Sequence, residues 1–158
     1  MRRSKLEIVE QSESVSLYSI RFNDENFTEF EKFLATFKDN AALNKDFKRI
    51  VYAISKILDN GALERYFRPE CRFNDGVCAV PIESGILRLY CLRISDQILI
   101  VGNGGVKTTR TYNEDPILSG YVIDLQKFDK LIKTGIKNGT LSIEEKEISG
   151  VENKTFSL

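Results

Sequence analysis

Residues 86–116 read ILRLYCLRISDQILIVGNGGVKTTRTYNEDP, and this stretch decides the fold. Two apolar runs, 86–94 and 97–101, flank a polar break at Ser95-Asp96. Such a layout reads as two adjacent antiparallel strands joined by a tight turn. A Gly-rich turn at Asn103-Gly104-Gly105 follows at once and leads into a cationic segment. The strand pair therefore delivers Lys107, Arg110 and Tyr112 to the rim of a sheet. Two cations and a phenol beside a flexible glycine loop suit a phosphodiester ligand.

Upstream, residues 15–22 (VSLYSIRF) form a strand with Tyr18, Ile20 and Phe22 on one face. Phe27, Phe30, Phe33, Leu34 and Phe37 then recur at helical spacing. A second helix, capped by Asn44 or Asp46, carries Phe47, Ile50, Val51, Ile54, Ile57 and Leu58 and stops at Asn60-Gly61. The short linker between these helices predicts an antiparallel hairpin. Residues 77–83 give a short strand, with Pro81 marking an edge or a bulge. Downstream, Asp124 is placed to cap a helix bearing Leu125, Phe128, Leu131 and Ile132, which Gly135 and Asn138-Gly139 end. Leu141, Ile143 and Ile148 make a weak last segment. The polar residues 1–14 are either a frayed tail or an added edge strand. The expected division is a polar extension over 1–14, one domain over 15–135, and a second extension over 136–158. The element order is β-α-α-β-β-β-α, an α+β fold.

With 158 residues, 42% hydrophobic and 29% charged, the chain suits one globular domain. No apolar run is long enough to cross a bilayer, and no apolar stretch follows the basic N-terminal residues, so a cytoplasmic protein without membrane attachment is expected. Three cysteines without a CxxC spacing suggest neither a disulfide framework nor a metal site, and no cofactor is expected. There is no histidine. Ser-His-Asp and Cys-His catalysis are thereby excluded, and proton transfer falls to Lys, Tyr, Cys or a carboxylate. The net charge is +0, yet residues 45–112 hold 11 basic and 7 acidic side chains, while the flanking segments are net acidic. A central basic excess is compatible with an anionic ligand and equally with an ordinary solvated surface.

This order, and the segments Leu87-Arg88-Leu89-Tyr90 and KTTRTYNEDP, resemble the RelE/HigB/ParE superfamily of toxins from type II toxin–antitoxin systems, the HigB-like members most of all. The resemblance covers about 15–132. It departs in length, in neutral charge, and in having one lysine where HigB-like members carry two. It implies an N-terminal strand and α-hairpin packed on a curved antiparallel β-sheet, with a C-terminal helix (RelE-like). It also implies a ribosome-dependent endoribonuclease that cleaves mRNA by 2′-hydroxyl attack, with a cognate antitoxin, the ribosome and mRNA as partners. On that reading Arg88, Lys107, Arg110 and Tyr112 are the catalytic residues. Arg65, Arg68, Arg72 and Arg93 are the RNA-binding candidates, with a solvated face as their alternative role. Glu114 and Asp115 either accept a proton or cap the next helix. The competing expectation is a non-catalytic or ParE-like protein-binding module of the same fold.

Overall fold

The computed structural model describes residues 2–69, 76–83 and 85–158. Strands β1 (Arg3–Gln11) and β2 (Ser16–Phe22) pair antiparallel at the start of the chain. Residues 1–14 therefore supply a full strand. Helix α1 (Glu29–Phe37) follows, and its start is fixed by a capping box. The Thr28 side chain accepts from the Glu31 amide while Glu31 accepts from the Thr28 amide, so two otherwise orphaned donors are satisfied. Helix α2 (Asn44–Asn60) comes next and buries Ile50 and Ile57, one face of the periodic pattern. Then come β3 (Arg68–Pro69), β4 (Val77–Val80), β5 (Leu87–Ser95) and β6 (Ile98–Val106). Helix α3 (Pro116–Asn138) leads to a small hairpin, β7 (Ser142–Glu144) and β8 (Glu147–Ser149), and to β9 (Phe156–Ser157).

The N-terminal strand, helical hairpin and C-terminal helix of an α+β fold are present, but the sheet departs from the expected form. Seven strands lie in the order β3-β4-β5-β6-β2-β1-β9. The expected curved antiparallel sheet is corrected to an open, uncurved, mixed one, because β2 and β6 pair parallel, Ser16 to Ser19 against Ile98 to Val101. The cause is topological. After β2 the chain runs through two helices and the β3–β5 meander before it returns beside β2, so β6 arrives with the same polarity.

Two cores result, one on each face of the sheet. Leu17, Val80, Leu87, Leu89, Cys91, Leu99 and Val101 pack under α1 and α2, with Phe33, Ile50 and Ile57. Tyr18, Ile20, Tyr90, Leu92, Ile98 and Ile100 pack under α3, with Val122, Leu125 and Phe128. A strand covered on both faces reads as a continuous apolar run, which is why β5 and β6 lack polar alternation.

Three local expectations change. The Asn103-Gly104-Gly105 stretch is not a loop: it is buried strand, and β6 carries a bulge there opposite Leu89 to Cys91. A Cβ at Gly104 would fall 1.9 Å from the Arg88 carbonyl oxygen, so the strands meet only because this residue has none. Helix α3 starts at Pro116, with the Asp115 side chain accepting from the Ile117 and Leu118 amides. Asp124 is therefore no cap; it sits mid-helix, buried, paired with Arg2.

Asp46, in the first turn of α2, ties that helix to the start of β5. Its Oδ2 accepts from the Ile86 amide (2.8 Å) and the Leu87 amide (3.1 Å). Partial burial works against its charge, but these two bonds and the Arg49 and Arg88 cations outweigh it, and the pKa is lowered.

Two sets of variants test this construction. Gly104→Ala should lose about 2 kcal/mol or more in urea unfolding, an overpacking cost against the backbone. Gly120→Ala, whose Cβ would meet nothing within 4 Å in α3, should gain about 0.5–1 kcal/mol in the same assay. Asp46→Ala should lose about 1–2 kcal/mol at pH 7. A carboxyl whose folded pKa is depressed stabilises fully above its unfolded value, about 3.9, and loses that stabilisation as pH falls through the folded value. The gap between wild type and Asp46→Ala should therefore shrink in unfolding curves taken below about pH 4.

Candidate functional site

Strands β2 and β6 are adjacent and parallel, and the segments after them leave to opposite faces, α1 to one and α3 to the other. A crevice opens beyond the carboxyl ends of strands arranged this way. Here the parallel pairing stops at Ser19 and Val101, whereas β6 runs on to Val106. The Ser19 hydroxyl seals the fork: it donates to the Val101 carbonyl (2.6 Å) and accepts from the Phe30 amide (3.1 Å). Past that point Gly104 and Gly105 form the floor of a cavity of about 330 Å³, with Thr36 and Phe37 of α1 on one side and Ile117, Leu118 and Tyr121 of α3 on the other.

A polar network lies at the base of this crevice. The Asn103 amide donates to Glu29 (3.4 Å), and the Lys32 ammonium reaches both Glu29 and Glu25 at 2.7 Å. Desolvation opposes the Lys32 charge, but its hydrogen bonds to Glu25 and Glu29 prevail and its pKa is raised. Burial, reinforced by the Glu29 charge, pushes the Tyr121 phenol upward. Sequence reasoning missed Glu29, Lys32, Asn103 and Tyr121. Glu29 and Lys32 stand one helical turn apart in α1, a spacing too common to signal a site, and Asn103 passes for a turn residue beside two glycines.

The cationic rim begins where the crevice ends. Arg88 lies opposite Gly105 in the β5–β6 ladder, and the Lys107 amide donates to the Ile86 carbonyl (2.6 Å). Arg88 and Lys107 therefore leave neighbouring strands at one end of the sheet. Arg88 is 6% exposed, and one guanidinium nitrogen donates to the Gly85 and Leu87 carbonyls. Tyr112 sets its ring edge-on to Tyr90, with centroids 6.5 Å apart, two residues beyond Arg88 on the same strand face. Arg110 is exposed in the connection to α3, and its amide donates to Glu114 (3.2 Å). Asp115 is the α3 cap.

The RNA-binding candidates lie elsewhere. The Arg93 side chain is half-buried and occupied: Nε donates to the Ala62 carbonyl (2.6 Å), and the guanidinium meets Glu64 at 3.5 Å and Asp96. Arg65 is exposed, its guanidinium 5.3 Å from the Tyr66 ring centre. Arg68 donates to the Ile82 carbonyl (2.9 Å). Arg72 lies outside the described residues. Among the described residues no group of His, Cys, Asp and Glu side chains is arranged to hold a metal ion, and no helix is long and apolar enough to cross a membrane. The buried Cys91 thiol is pushed well above its ordinary pKa by desolvation, the wrong direction for a nucleophile.

Comparison with known proteins returns no match: no family model, no curated protein and no solved structure is recognisably similar to this chain.

Proposed function

We propose that the protein is the toxin of a toxin–antitoxin pair, a ribosome-dependent endoribonuclease that cleaves mRNA. One observation supports this reading: Arg88 and Lys107 leave neighbouring strands at one end of the sheet, and Tyr112 packs edge-on to Tyr90, two residues from Arg88 on the same strand face. In the reaction a ribose 2′-oxygen bonds to the adjacent phosphorus as the bond from phosphorus to the 5′-oxygen breaks. The products are a 2′,3′-cyclic phosphate and a free 5′-hydroxyl. The 2′-hydroxyl gives up a proton and the leaving oxygen gains one. Lys107, Arg110 and Arg88 supply positive charge to the phosphoryl oxygens, the largest contribution in chemistry of this kind. Glu114 is an exposed carboxylate in the same loop and serves as the proton acceptor. Tyr112 supplies a ring face or a proton. The mRNA and ribosome are the substrate assembly, and a cognate antitoxin neutralises the activity.

A second reading has one observation in its favour. Arg88 is nearly buried and bonded to carbonyls of its own strand entrance, an arrangement that suits a non-catalytic protein-binding module equally well.

Induced expression of the wild-type chain should arrest growth. Purified protein added to translating ribosomes should produce mRNA fragments ending in 2′,3′-cyclic phosphate. Lys107→Ala with Arg110→Ala should slow that cleavage by about 100-fold or more while leaving the urea midpoint unchanged. A wild-type chain that cuts no mRNA in the presence of ribosomes, yet captures a protein partner, selects the binding module.

A further inference from the structure

Helix α2 carries a second pattern on the side away from its core residues. Arg49, Tyr52, Lys56 and Asn60 recur at helical spacing along one stripe, with Tyr52 and Asn60 exposed and Arg49 and Lys56 half-buried. A 3-10 turn after the helix, Glu64–Tyr66, folds back against that stripe and adds Arg65 and Tyr66. Together they line an open groove of about 440 Å³, closed at one side by Ile82 and Glu83.

The groove pairs cations with aromatic rings. The Lys56 ammonium lies 5.4 Å from the Tyr52 ring centre, and the Arg65 guanidinium 5.3 Å from that of Tyr66. Tyr52 is 61% exposed. Among the described residues neither Lys56 nor Arg65 forms an ion pair; Arg65 is exposed and Lys56 half-buried. The Tyr66 hydroxyl accepts from Asn60 (2.8 Å), and the hydrogen bond from Arg65 pulls its pKa down, with Asn60 and the Arg65 and Lys56 charges adding to the effect. With Arg49 paired to Asp46, Lys56 and Arg65 stand against the single lining carboxylate of Glu83, a local excess of positive charge in a chain of net charge +0.

The surrounding arginines hold this surface in shape. Arg93 grips the Ala62 carbonyl, which fixes the turn that presents Arg65 and Tyr66. Arg68 grips the Ile82 carbonyl, which fixes the opposite wall. A chain of contacts ties α2 to the strand end that carries the cationic rim. Lys107 bonds to Ile86, the Ile86 amide bonds to Asp46, and Arg49 stands 3.8 Å from Asp46. From Arg49 to Asn60 the helix advances about 16 Å.

We propose that this groove is a track for single-stranded RNA, with Arg49, Lys56 and Arg65 on phosphates and Tyr52 and Tyr66 as stacking platforms for bases. Cations interleaved with exposed rings suit a single strand, whose every base offers a π-face. An acidic peptide would use the charges and leave the rings idle. The track extends the ribonuclease reading, since a strand reacting at the rim lays its flanking nucleotides along α2.

The test is fluorescence anisotropy with an unstructured, fluorescein-labelled RNA 12-mer, titrated over a range of potassium chloride concentrations. Each phosphate contact on a single strand contributes about −0.7 to the slope of log K against log salt. Lys56→Ala with Arg65→Ala should make the slope shallower by about 1.4 and weaken binding at least tenfold. Tyr52→Ala should weaken binding by about tenfold with the slope unchanged. Tyr52 and Arg65 are exposed and Lys56 is half-buried at the helix surface, and a urea midpoint measured for each variant checks that the fold is kept. Wild-type affinity and slope in the groove variants would overturn the track. So would a glutamate 12-mer that binds wild type and is lost with Lys56 and Arg65 while RNA binding stays intact. The two readings fail separately. Without ribosomal cleavage but with groove-dependent RNA binding, the toxin is lost and the track stands; with cleavage and groove-independent binding, the reverse holds.

Discussion

Four residue pairs of parallel ladder, Ser16 to Ser19 against Ile98 to Val101, are the constraint on which the molecule depends. Parallel strands are at home where both faces are covered, and both faces of this pair are. The helical hairpin shields one side and α3 the other, so the chain must leave β2 and β6 in opposite directions. That divergence opens the crevice. The Ser19 hydroxyl, shared between the Val101 carbonyl and the Phe30 amide, marks the point where the ladder ends and the opening begins. The glycines of β6 then let the strand continue alone against β5 and deliver the cationic segment at its tip.

Much of the secondary structure was legible because local chemistry wrote it. The phenylalanine spacing of α1, the Ile50 and Ile57 face of α2, and the apolar runs of β5 and β6 are all signals within one element. The sheet was not legible, because strand polarity depends on what lies between β2 and β6 rather than on either strand. Glycines 104 and 105 misled for a related reason: a residue chosen for close approach to a neighbouring strand looks, in one dimension, like a residue chosen for a turn. Asp124 misled because a buried carboxylate answered by Arg2, over 120 positions away, is indistinguishable in sequence from a cap.

The KTTRTY segment stood out by its composition, and its position after β6 followed from the apolar run that precedes it. The crevice network of Glu29, Lys32 and Asn103 was invisible because its members come from α1 and β6. The described arginines of the set read as one class divide into two tasks. Arg65 faces solvent over a ring, whereas Arg68 and Arg93 spend their donors on backbone carbonyls and shape the surface that Arg65 occupies. Count and charge could not separate these tasks, because they differ only in what each guanidinium touches.

The Ser19 to Val101 contact joins positions 82 apart in the chain. Contacts of that span form only after a long loop has closed, and the entropy of closure is lost before any hydrogen bond returns it. The β1–β2 and β5–β6 hairpins need no such wait. Each half of the sheet can therefore assemble by itself, with an unpaired strand edge facing the other. Until the two edges meet, β2 and β6 are open templates for any extended chain, and association at that seam competes with completing the fold.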